Sequence, residues 1–300
     1  MKDGLLLVDK PSGCTSHDVV QRARGILGQK KIGHCGTLDP TATGLLVLTV
    51  GKATRLTRFL IRAPKVYIGS IQFGQETNTY DAAGEVLAEG PVDSLTTGIV
   101  KGAMEPFIGR YEHLTPPFSA RKVKGVKSYE LARRGEEVPV NRKEVTVYEY
   151  CATSDLSAEG AIDFRLACSS GTYARSLAHE LGLALGSRAH LASLRRLKVG
   201  GFALTNAATL EELEAAEELE ALEAWIPFDA IPLPFEEVEV DAKQERRILH
   251  GQTALVRDLA SGEGDWIKIN TRHQQFIAVA SIVEQIGTGV GVLQPRIVFK

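Results

Sequence analysis

The sequence predicts an α+β protein with a mixed or antiparallel central sheet, followed by a small β-rich domain. Three observations lead there. Strand-like and helical segments do not alternate as βαβα. No Gly-x-Gly-x-x-Gly fingerprint follows the first strand, which excludes a doubly wound dinucleotide fold. Composition also changes after Pro227, Pro232 and Pro234, where short strand-like runs are separated by glycines. The expected division is 1–235 for a larger domain and 236–300 for a smaller one. A chain of 300 residues buries about three quarters of its unfolded surface, enough for both.

Residues 5–8 are a continuous apolar run and read as a buried strand, with Asp9 to Gly13 as the turn after it. A helix follows to Leu27. Val19, Val20, Ala23, Ile26 and Leu27 fall at helical spacing, Thr15 or Ser16 caps the start, and Gly28 ends it. Residues 33–44, G-H-C-G-T-L-D-P-T-A-T-G, form a Gly-rich loop, and Leu45 to Thr49 leave it as a strand. A short helix covers Thr54 to Leu60. Residues 65–73 alternate as a half-buried strand, with Tyr67, Gly69, Ile71 and Phe73 on one side. Strands are expected at 145–150 and 161–168, a short helix around Tyr129 to Arg133, and a longer one from Tyr173 to Leu185. Thr209 and Glu212 fit a capping box before an amphipathic helix carrying Leu213, Ala216, Leu219 and Leu222. In the tail, strands are expected at 266–269, 276–280 and 297–299.

The net charge of -2 argues against a strongly basic, unselective nucleic-acid binder, but not against a basic face. The charges are uneven. Residues 211–223 carry seven glutamates and no cation, whereas 118–143 carry eight Lys/Arg against three acids. The four cysteines form no CxxC pair, which speaks against a zinc site or a disulfide scaffold. No signal peptide and no membrane span are read, so the expected location is the cytoplasm. There is no Walker A loop, no H-E-x-x-H and no G-x-S-x-G elbow. What remains is chemistry that side chains perform without a cofactor or metal.

The densest chemical cluster is Gly33 to Gly44. Asp39 precedes Pro40, which restricts its backbone to extended conformations. A carboxylate on a rigid turn suits covalent or acid–base work, but Asp-Pro is also a common turn pair that accepts loop hydrogen bonds. His34 can pack or meet a phosphate. Arg175, at the start of the 173–185 helix, can hold a carboxylate or phosphate, or stand at the surface. Tyr67 is either a core aromatic or a platform for a base. Arg121, Lys122, Lys124 and Lys127 sit in a segment too polar for a core. They form either a solvated loop or a phosphate contact with salt-dependent affinity.

The motifs together resemble the TruB family of bacterial tRNA pseudouridine-55 synthases. The similarity runs through L-L-L-V-D-K-P-S-G, G-H-C-G-T-L-D-P-T-A-T-G-L-L, P-F-S-A-R-K-V-K-G-V-K-S-Y-E-L-A-R-R-G, C-S-S-G-T-Y-A-R-S-L and A-H-L-A-S-L-R-R-L, across residues 5–200. The tail resembles the small RNA-binding PUA domain through the shorter G-Q-T-A and P-R-I-V-F. Cys35 departs from the threonine that some members carry, at a position with no assigned role.

The resemblance implies a pseudouridine synthase catalytic fold that isomerises uridine at position 55 in the T-arm loop of tRNA. It further implies base flipping, no cofactor and no metal, a monomer without an obligate protein partner, and an RNA-folding activity beside the chemistry. Residue by residue, it makes Asp39 the catalytic aspartate and Tyr67 the tyrosine that stacks on the target base. Arg175 pairs with the aspartate, and Tyr173 and Leu194 line the pocket. Lys10 and Pro11 form a supporting turn, and His34 helps hold the rearranged RNA loop. Residues 118–143, with Arg121, Lys122, Lys124 and Lys127, correspond to an RNA-contacting insertion. The chemistry breaks C1′–N1 and joins C1′ to C5. The sequence leaves open whether Asp39 attacks C1′, attacks C6, or promotes loss of the base.

Overall fold

The computed structural model describes residues 2–116, 122–123, 126–127 and 142–299, with the backbone alone at 122–123 and 126–127. The basic Arg121 and Lys124, and the helix expected around Tyr129, lie outside the described residues. So do the side chains of Lys122 and Lys127.

Among the described residues, the larger part is built on one mixed sheet of ten strands. In chain order these are β1 (Gly4–Lys10), β2 (Ile32–His34), β3 (Thr43–Val50), β4 (Lys65–Phe73), β5 (Gly109–Leu114), β6 (Arg142–Ala152), β7 (Ala161–Cys168), β8 (Ala189–Val199), β9 (Phe202–Ala203) and β10 (Trp225–Pro227). The spatial order is β10-β1-β3-β8-β4-β7-β6-β5, with β2 beside β3 and β9 beside β8. Every pair is antiparallel except β3 with β8, which meet in parallel at Thr43–Arg195 and Gly44–Arg196. That junction joins the two halves of the sheet.

Two apolar cores lie against the sheet. The first gathers β1, β3 and helix α1 (Ser16–Leu27); the second gathers β4, β7 and helix α2 (Ala174–Ala184). Helix α1 starts where the sequence places it. The Thr15 hydroxyl accepts from the Asp18 N–H, the Asp18 carboxylate accepts from the Thr15 N–H, and Gly28 closes the helix at φ 62°.

Some boundaries differ from expectation. Asp9 and Lys10 belong to β1, paired with Leu45 and Gly44, because the partner strand continues opposite them. Gly33 and His34 pair as β2, so the loop shrinks to 35–42. The helix after Thr209 stops at Ala215, and Leu219 reaches the core through a separate 3-10 turn, Leu219–Ala221. Seven glutamates within 211–223, with no cation among them, repel mainly at i,i+3 spacing and weaken a continuous helix.

A second sheet of five strands follows: β11 (Glu236–Val240), β12 (Ala254–Val256), β13 (Trp266–Thr271), β14 (Phe276–Gln285) and β15 (Gly291–Val298). It has its own core around Val240, Ile267, Ile269 and Leu293. Its other face enters the first core: Phe276 and Phe299 pack on Phe228 with ring centroids 5.1 and 4.8 Å away. No helix among the described residues is long and apolar enough to cross a membrane.

Candidate active site

The loop from Cys35 to Ala42 is held by buried polar side chains rather than by its own sequence. Ser16 Oγ accepts from the Leu38 N–H at 2.8 Å and donates to the Leu38 carbonyl at 3.0 Å. Lys10 is fully buried and donates to the carbonyls of Pro11 (2.9 Å), Pro40 (3.3 Å) and Ala42 (2.6 Å). Arg196, 1% exposed, donates to Leu45 O at 2.7 Å, Gly36 O at 3.0 Å and Thr37 O at 3.5 Å. Buried carbonyls need partners, so these contacts fix the backbone on both sides of Asp39. Within the loop, the Ala42 N–H donates to Asp39 O at 3.1 Å, closing a turn with Pro40 second, where its fixed φ fits.

Asp39 is left with hydrogen-bonded backbone on both sides and its carboxylate 40% exposed in a cleft. Behind it stands Arg175, 6% exposed, whose Nε lies 3.0 Å from Asp39 Oδ2. Arg175 Nη1 also donates to Thr79 O at 2.9 Å and lies 3.5 Å from Asp81 Oδ2. Asp81 is fixed in turn, its Oδ1 accepting from Thr79 Oγ1 (2.6 Å) and the Ala83 N–H (3.1 Å). Tyr80 between them adopts φ 60° and stacks on His179, with centroids 3.8 Å apart. A non-glycine residue in the left-handed region costs energy and persists where surrounding contacts enforce it.

The cleft measures about 250 Å³ and is lined by Asp39, Tyr67, Tyr173, Arg175 and Leu194, together with Lys65 and Arg196. It falls below the ~300–1,000 Å³ typical of pockets for larger ligands, a size suited to one planar ring. Tyr67 is half-buried. Burial pushes its hydroxyl above the usual phenol range, partly opposed by the neighbouring Arg196 charge, so it stays protonated near neutrality. Tyr173 precedes α2, with its ring edge-on to His113 at 5.7 Å.

The structure thus brings five of the expected residues to one cavity from β4, the 35–42 loop, the start of α2 and β8. Lys10 lies under the loop, not in the cleft. Pro11 is exposed and contributes its carbonyl to Lys10. His34 does not line the cleft; it sits half-buried on β2, and burial lowers its pKa, favouring the neutral ring. Sequence reasoning missed Ser16, Lys65, Asp81 and Arg196. Two signals were available: adjacent arginines, Arg195 and Arg196, inside a strand, and T-N-T-Y-D before A-A-G, an Asx-turn signature at Asp81.

Comparison with known proteins decides the family. The TruB family pseudouridylate synthase N-terminal domain matches residues 24–174, and the tRNA pseudouridylate synthase B C-terminal domain matches 175–238. The tRNA pseudouridine synthase B of Thermobifida fusca (strain YX) is 44% identical over 257 residues, covering 84% of this chain and 86% of that protein. The chain belongs to the TruB family of pseudouridylate synthases. It is therefore an isomerase with a pseudouridine synthase fold.

The Ralstonia pickettii (strain 12J) tRNA pseudouridine synthase B is 41% identical over 297 residues, spanning 98% of this chain and 93% of that protein. Among solved structures, a chain of a Cbf5-Nop10-Gar1 complex superposes with a TM-score of 0.76 at 25% identity, covering 100% of this chain and 85% of that one. A chain of an H/ACA RNP bound to a substrate RNA containing 2'-deoxyuridine superposes at 0.73 and 24% identity, covering 99% and 85%. That second likeness speaks to the fold, including the β-rich C-terminal sheet.

Proposed function

We propose that this TruB-family enzyme converts the uridine at position 55 in the T-arm loop of tRNA to pseudouridine, with Asp39 as the catalytic residue. The observation that carries the reading is the Asp39–Arg175 pair, 3.0 Å apart in a cleft that Tyr67 shares. The relatives from Thermobifida fusca and Ralstonia pickettii are named for synthesis on tRNA, which supports the substrate class.

A base must leave its stack to reach this cleft. Flipping costs a few kcal/mol, which pocket and backbone contacts offset. Tyr67 stacks on the uracil ring and retains it after C1′–N1 breaks. Arg175 aims the Asp39 carboxylate at the nucleotide, and its planar fork suits that task better than a lysine ammonium. Leu194 and Tyr173 close the walls. C5 then joins C1′, and the C5 proton leaves last. The isomerisation has no net redox change, so it needs no redox cofactor. Residues 118–143 and the sheet from Glu236 onward, read as a PUA-like RNA-binding unit, extend contact along the RNA stem. His34, half-buried on β2, would support the RNA loop from outside the cleft.

The test is incubation of an unmodified T-arm stem-loop with the enzyme and with Asp39→Asn, followed by mapping of pseudouridine. The expected result is product at the uridine of position 55 with the parent enzyme, and none with Asp39→Asn despite unchanged RNA binding. Near-normal turnover by Asp39→Asn would remove Asp39 from the chemistry.

A further inference from the structure

Among the described residues, three cations line the cleft: Lys65, Arg175 and Arg196. Two are committed to protein. Arg175 engages Asp39, Asp81 and the Thr79 carbonyl, and all three Arg196 nitrogens donate to loop or strand carbonyls. Lys65 differs. It is 4% exposed, and its ammonium donates to the Ile61 carbonyl at 2.5 Å. An ammonium carries three donors, so further donors remain for a ligand in the cleft. No ion pair joins Lys65 to a carboxylate among the described residues. Lys65 also stands two residues before Tyr67 on β4, so both side chains leave the same face of the strand.

A buried cation without an anion is costly unless something negative arrives. The reaction supplies it. When C1′–N1 breaks, its electron pair leaves with the base, and the charge spreads over N1, O2 and O4 of the uracil. This holds when Asp39 engages C1′ or promotes loss of the base; if Asp39 instead adds to C6, that carbon is saturated and the charge spreads from N1 to O2 alone, so the ring still carries negative charge. The ring returns a pair when C5 bonds to C1′; the C5 proton then departs to a base and N1 takes up a proton, so the product is an isomer of the substrate.

We propose that Lys65 is a further catalytic residue, whose ammonium donates a hydrogen bond to the departing uracil and balances its negative charge while the ring turns between Tyr67 and Asp39. Lys65 transfers no proton; it stays charged throughout. This role rests on the reading of the cleft given above. It would put a fixed donor where charge develops, the type of interaction that lowers a barrier without tightening ground-state binding.

The surroundings keep the charge uncompensated before substrate enters. Among the described residues, the titratable groups that act on Lys65 are Arg196, Lys143 and the thiols of Cys35 and Cys168. Burial pushes Cys35 up to about 12 and Cys168 up to about 11, so neither supplies a thiolate near neutrality. Burial first, then Arg196, lowers Lys65 to about 8. The free enzyme therefore loses this charge as pH rises through about 8, while Tyr67 titrates higher.

The test is single-turnover conversion of an unmodified T-arm stem-loop from pH 6.5 to 9.5, with RNA affinity measured alongside. Four proteins are compared: parent, Lys65→Met, Lys65→Arg and Asp39→Asn. Removing one such donor costs on the order of 100-fold, so Lys65→Met should lose about that factor in rate with affinity changed less than about threefold. Lys65→Arg should keep part of the rate and lack the alkaline decline that the parent shows, because guanidinium does not titrate there. A Lys65→Met rate close to the parent's overturns the proposal. So does an alkaline decline retained in Lys65→Arg, and that arm decides the matter alone if Lys65→Met does not fold. Asp39→Asn separates the two readings. If it turns over, the assignment of the site has failed; if it is inert while Lys65→Met is normal, only the role of Lys65 has failed.

Discussion

Lys10→Met removes the ammonium that ties Pro11, Pro40 and Ala42 together while keeping much of the side-chain volume. The parent residue is fully buried, and its contacts measure 2.9, 3.3 and 2.6 Å. A hydrogen bond from a charged donor contributes ~1.5–3 kcal/mol, and each buried acceptor left unpaired costs ~1–3 kcal/mol. Relief of the buried charge offsets part of this sum. A net loss of about 3 kcal/mol is expected, seen as a fall of about 1 M or more in the urea midpoint at pH 7. Because the Pro40 and Ala42 carbonyls follow Asp39 directly, single-turnover rate should fall about 100-fold, as expected for a reacting group displaced by about 1 Å.

The pH dependence gives a second reading of the same residue. Burial lowers the Lys10 pKa below its ordinary 10.5. Between the folded value and 10.5 the unfolded chain binds more protons than the native one, so this group makes stability rise with pH in that window. Lys10→Met should lack the rise. A variant with unchanged midpoint and unchanged rate would refute the claim that Lys10 holds the loop.

Gly44→Ala should destabilise the fold by at least about 3 kcal/mol in thermal or urea melts. A Cβ there meets Arg196 O at 2.4 Å and Arg196 N at 2.8 Å, and the residue sits at φ +98°; a normal melt would mean the β3–β8 junction is looser than described. Neutralising Arg121, Lys122, Lys124 and Lys127 together should weaken RNA binding and reduce the salt slope by up to about three, measured by titration at several salt concentrations. An unchanged slope would make this stretch an ordinary solvated loop. Removing residues 236–300 should leave a chain that aggregates rather than one with simple loss of affinity, because Phe276 and Phe299 cover Phe228 in the first core. A soluble monomer with a parental melting point would show that contact to be dispensable.

The sequence by itself determined whatever depends on neighbours along the chain. Thr15 with Asp18 and Gly28 bounded α1, alternation located β4 and β7, and the Asp39-Pro40 pair announced a fixed turn. The same ordered motifs carried the family. Where continuous periodicity met a run of like charge, local reading overshot, as in the helix that ends at Ala215. Tertiary structure alone decided how the site is held. Arg196 reaches Gly36 across 160 positions, and Arg175 reaches Thr79 across 96. It also decided that Lys65 faces the cleft with no carboxylate paired to it among the described residues, and that His34 does not line the cleft. The physical reason is that a buried charge takes its meaning from the carbonyls and carboxylates around it. Those partners are assembled by the β3–β8 junction and the strand crossovers, which no local pattern encodes.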